Sequence, residues 1–135
     1  MTVQNIIIPL PEAIYLRLQQ TAQSTRQTFT DVLLQTVQIG SPPSWEDAPA
    51  EFQADLAALD RLHDQQLWQI ARDHQKEDNM QSYQNLLDKN ADGIITETER
   101  SELNRLRTSA DRFMLRKAHA AALLRWRGHQ IPLSN

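Results

Sequence analysis

Apolar side chains recur along this chain with two different periods. Residues 3–10, Val-Gln-Asn-Ile-Ile-Ile-Pro-Leu, are rich in β-branched side chains and predict one short strand. From Pro11 the period lengthens. Ile14, Leu18 and Ala22 recur every fourth residue, which places them on one helical face. Pro11 suits the first turn of that helix, and Glu12 stands near the positive end of its dipole. After a polar break at 24–27, Thr28-Phe29-Thr30-Asp31 reads as the capped start of a second helix. Phe29, Val32, Leu33, Thr36 and Val37 form its apolar side, and Gly40 ends it. Ser41-Pro42-Pro43-Ser44 then opens a stiff linker, assigned to 41–49.

A helical domain is expected over 50–129. Phe52, Leu56, Leu59 and Leu62 make one stripe, and Ala57 and Ala58 permit close approach. Asp64 is the expected N-cap of a further helix bearing Leu67, Trp68, Ile70 and Ala71. A polar stretch at 72–79 leads to a helix with Met80, Tyr83 and Leu87 on its apolar face. One long helix is expected from Glu97 to Arg127, a span without Pro or Gly. Its apolar face is read as Leu103, Leu106, Ala110, Phe113, Met114, Ala118, Ala121 and Leu124, with Trp68 and Trp126 in the core. Gly128 and Pro132 end it, leaving a tail at 130–135. The expected class is mainly α, with one short N-terminal strand.

That strand finds no second strand elsewhere in the sequence. Its backbone donors and acceptors therefore need another copy of the chain, or water. Strand, Leu-Pro, helix, short turn and capped helix is also the layout of the ribbon-helix-helix family, which residues 3–40 resemble. The resemblance implies a homodimer that pairs its strands across a two-fold axis and interlocks four helices. It puts Ile6, Ile8, Leu10, Ile14, Leu18 and Leu33 in the dimer interface and turns Asn5, Ile7 and Pro9 outward. In that family the outward positions read bases, yet Ile7 and Pro9 cannot make bidentate base contacts. The first 44 residues also carry two basic and two acidic side chains, so phosphate attraction is lacking. Nucleic-acid binding through this strand is not expected.

Residues 88–99, Asp-Lys-Asn-Ala-Asp-Gly-Ile-Ile-Thr-Glu-Thr-Glu, space oxygen-bearing side chains at positions one, three, five and nine, as Asp88, Asn90, Asp92 and Thr96. Gly93 is sixth, Ile95 eighth and Glu99 twelfth. The stretch resembles an EF-hand loop. That resemblance implies calcium as a cofactor, held by Asp88, Asn90, Asp92, the Ile94 carbonyl, Thr96 and Glu99. The same residues also serve as a turn between two helices that needs no ion: Asn and Gly tolerate left-handed backbone, and Thr96 with Glu99 makes a capping box. Downstream, Arg100, Asn104 and Arg107 stand where an EF-hand's second helix carries apolar residues.

Composition narrows the class. The 135 residues suit one domain, or a small one with an appendage; 40% hydrophobic content can build a core, although a mean hydropathy of −0.58 makes it modest. The absence of cysteine excludes disulfides and thiolate metal sites. No leader is evident, and the longest apolar run, 120–124, is too short for a bilayer, so a cytoplasmic protein without a membrane partner is expected. The net charge of −3 hides an asymmetry: residues 45–99 carry thirteen acidic and four basic groups, whereas 100–135 carry eight basic and two acidic. The acidic middle should pack beside the basic C-terminal helix.

Catalytic chemistry is not visible. His63, His74, His119 and His129 lie scattered, and no phosphate loop or nucleophile elbow is present. Residues 111–129 together with 52–62 resemble a group of small bacterial helical proteins that begin like a ribbon-helix-helix chain. Some of these are encoded beside small nucleases, which implies an antitoxin-like role with a nuclease toxin as partner. The expected function is a non-enzymatic, homodimeric protein-binding or regulatory module. Arg112, Arg116, Lys117, Arg125 and Arg127 are its expected partner-binding residues. The alternatives are a calcium-binding EF-hand-type protein and a ribbon-helix-helix DNA-binding repressor.

Overall fold

The Ile-rich start is not a strand. In the computed structural model, which describes residues 2–131, no described residue lies in a strand or ladder. The expected strand at 3–10, and the strand-plus-helices class built on it, are therefore corrected to an all-helical chain. The reason is physical. β-branched side chains favour extended backbone, but a strand is defined by ladder hydrogen bonds, and these residues have no second segment against which to form them. Ile6 is 77% exposed and Ile7 fully so.

Six helices follow: α1 (Glu12–Thr25), α2 (Phe29–Ile39), α3 (Ala50–Leu59), α4 (Asp64–Ala71), α5 (Glu77–Ala91) and α6 (Glu97–Trp126). The chain divides into two compact units, one through Ser41 and the other from Pro42. In the first, α1 opens after Pro11 and stops at Arg26, which takes a left-handed conformation at φ 57°. Thr28 caps α2 by accepting the Asp31 N–H at 3.0 Å. α1 and α2 pack on each other, with the Tyr15 and Phe29 rings 5.2 Å apart, yet Ala22 and Val32 are the only buried hydrophobic residues among those described in this unit.

The second unit is built along α6. At 30 residues it is roughly 45 Å long. Thr96 and Glu99 form the expected capping box at its start. Its first half packs with α5 through Leu86, Leu103 and Leu106, flanked by Tyr83, Leu87 and Ile95. Its last turns pack with α3 and α4 around Leu56, Leu59, Leu67, Ala120, Leu123 and Leu124. Trp45 and Ala48 pack on this second cluster, so the stretch expected to be a linker is partly core. Between Leu106 and His119 no side chain of α6 is buried. Among the described residues, no helix is long and apolar enough to cross a membrane.

Candidate functional site

The C-terminal end of α6 is fastened to α4 by charge. Asp64 is not the N-cap but the first residue of α4, after His63. Its carboxylate is thereby free to accept Arg127 Nη1 at 2.8 Å and to meet His129 Nε2 at 2.6 Å. Arg127, and to a lesser degree His129, hold the Asp64 carboxyl below the usual aspartate range. At the C-cap of α3, Asp60 reaches His119 Nε2 at 2.8 Å and receives Trp45 Nε1 at 3.3 Å. His119 is buried and its ring contact is to a carboxylate, so the pair satisfies a polar group that would otherwise stand in a dry core. Removing the carboxylate with Asp60→Ala leaves that nitrogen unpaired. The expected cost is about 1–3 kcal/mol, read from urea unfolding.

A carboxyl whose native pKa is depressed adds stability when ionised. That contribution is complete above its unfolded value and is lost as pH falls through the native one. For Asp64 the window lies below the ordinary 3.8. Thermal melts from about pH 5 down to about pH 2 should therefore show a shallower acid limb in Asp64→Asn than in the wild type, the remaining carboxylates supplying the rest.

The expected partner-binding cations are not equivalent. Arg112 pairs with Asp55 at 2.9 Å and Arg127 with Asp64, so both are engaged inside the unit. Arg116 lies beside Asp55, Leu59 and Leu62 on the other flank of α6. Lys117 and Arg125 instead border an open groove of about 710 Å³ between α4 and α6, floored by Trp68, Ala118 and Ala121. The groove is not visible in the sequence, where Met114, Ala118 and Ala121 read as part of the buried face. The buried residues near them are His119, Ala120, Leu123 and Leu124, a stripe rotated by about one position. The signal was the Asp60–His119 pair, separated by too much sequence to be read as one.

Residues 88–99 adopt a shape of their own. α5 runs through Ala91, so Asp88, Lys89 and Asn90 are helical, and Asp92 caps the helix. Gly93 takes φ 73°, where the chain reverses. Asp88 accepts Gln84 Nε2 at 3.0 Å, and Ile94 N–H donates to the Lys89 carbonyl at 3.1 Å. Both Glu99 carboxylate oxygens are engaged, one by the Thr96 N–H at 3.1 Å and the other by the Lys89 ammonium. Lys89, then Thr96, keep the Glu99 carboxyl below the usual glutamate range. A calcium ion here must displace Lys89 and unwind the last turn of α5.

The residues expected at a dimer interface are apolar, and none of the six is fully buried. Ile6, Ile8 and Ile14 are exposed, and Leu10, Leu18 and Leu33 are half-buried. Comparison with protein-family models, with curated proteins and with solved structures found no match to this chain.

Proposed function

We propose that the chain is a non-enzymatic protein-binding module that self-associates through its first unit and holds a protein partner with its second. One observation carries the reading. The first unit, about forty residues long, buries only Ala22 and Val32 among its described hydrophobic residues, while Ile6, Ile7, Ile8, Ile14, Leu34 and Val37 stay exposed. Units of that size ordinarily need disulfides, a metal or a partner chain to be stable. Cysteine is absent. A second copy is the partner that suits, because the first 44 residues balance two basic against two acidic groups and two copies meet without net repulsion. Sedimentation at micromolar concentration tests it: a dimer is expected, and a monomer across that range ends the reading. An antitoxin-like role would be supported by co-purification with a small nuclease from the native cell.

A second reading keeps calcium, supported by the oxygen spacing of Asp88, Asn90, Asp92 and Thr96 and by the left-handed Gly93. Calorimetric titration of Ca²⁺ into the wild type and Glu99→Gln decides it. Heat from the wild type alone supports it, and equal negligible heats reject it.

A further inference from the structure

Among the described residues, no helix covers one side of α6. Met114, Ala118, Ala121 and Arg125 follow at spacings of four, three and four residues, so they form a single stripe about 16 Å long. Met114 is 66% exposed, and Ala118 is exposed too. Trp68 and Ala71 of α4, its C-cap Arg72, and His74 and Ile131 complete the mostly apolar groove beside that stripe.

The rim says what kind of chain covers it. Arg72, Lys117 and Arg125 border the groove and no carboxylate lines it among the described residues, in a chain whose net charge is −3. None of the three is in an ion pair among the described residues, unlike Arg112 and Arg127. Two of them are positioned in advance. The Arg72 guanidinium lies 4.3 Å from the Trp68 ring centre, and the Lys117 ammonium donates to the Asp73 carbonyl at 2.8 Å. The floor admits a helix, because alanines at 118 and 121 let a second axis approach to about 8–10 Å.

We propose that this groove seats an acidic amphipathic helix of a protein partner. Its apolar residues, spaced i, i+3 or i+4, i+7, lie on Trp68, Met114, Ala118 and Ala121, and its carboxylates meet Arg72, Lys117 and Arg125. The inference rests on the partner-holding reading of the second unit and names that partner's chemistry. A second copy cannot supply the helix from its acidic α3, whose Phe52, Leu56 and Leu59 are already buried in its own core. A nucleic acid would use the cations and leave the apolar floor unmatched.

The probe is a pair of synthetic peptides of about fourteen residues with one leucine stripe, flanked by glutamates in one and by lysines in the other. Amide and indole chemical shifts of the labelled full chain report binding. The glutamate peptide is expected to saturate with shifts at Trp68, Ala118 and Ala121, and the lysine peptide to produce none. Arg72→Glu with Lys117→Glu should weaken binding at least about tenfold. Ala118→Arg, at an exposed position, should do the same by filling the floor. Absence of saturable shifts, equal binding of the lysine peptide, shifts elsewhere, or equal displacement by a DNA duplex would overturn the proposal. So would loss of self-association in the Arg72→Glu, Lys117→Glu chain, which would give the face to a second copy. A dimer that fails to bind the peptide overturns the groove alone; a monomer that binds it overturns the dimer alone.

Discussion

Leu124→Ala is expected to lower the stability of the second unit by about 3 kcal/mol and its melting midpoint by roughly 12–20 °C. Leu124 is completely buried where α3, α4 and α6 converge, against Leu56, Leu59, Leu67, Ala120 and Leu123. Truncation removes the transfer free energy of the lost carbons and leaves a void, and packed helices relax only partly into such voids. The site is poorly able to collapse because the neighbouring His119–Asp60 contact holds α6 on the end of α3 and the Asp64–Arg127 contact holds it on α4. Met114→Ala, on the exposed side of the same helix, should change stability by no more than about 0.5 kcal/mol. A loss below about 1 kcal/mol for Leu124→Ala in chemical unfolding would mean that this end of α6 is not anchored as described.

The second large effect concerns association. Replacing Ile8 and Ile14 with aspartate should raise the dimer dissociation constant by more than about 100-fold. Each isoleucine is worth roughly 1.5–3 kcal/mol when fully buried, and a two-fold interface counts every substitution twice. Aspartate adds the cost of desolvating a charge. Both side chains are exposed in the single chain, so the change should leave the helical content of the second unit as it was. Sedimentation equilibrium across the micromolar range separates the outcomes. An unaltered dimer would place the contact on another surface.

The contrast between these two regions shows which information a sequence carries. Thr28 and Thr96 announce their helices because a cap is a local hydrogen bond, completed within three residues. The span of α6 is likewise local, since nothing between residues 97 and 126 interrupts a helix. Residues 3–10 carry a preference for extended backbone but no partner for it, and pairing is a property of two segments. At 88–92 the oxygen spacing was legible, whereas the extent of α5 was not. Lys89, which the oxygen spacing leaves out of account, reaches Glu99 and competes for the carboxylate a cation would need. The charge asymmetry did translate into contacts, as Arg112–Asp55 and Arg127–Asp64 join the basic helix to the acidic middle. Which cations would remain on the surface depended on the rotation of α6, and a small shift in that stripe moved Met114 and Ala118 from interior to groove.

The unburied stretch of α6 between Leu106 and His119 divides one rod between two small cores. Amides before it should owe their protection from exchange to packing on α5, and amides after it to packing on α3 and α4. One end can open while the other stays shut, so the helix is a coupling that transmits direction more readily than it transmits unfolding.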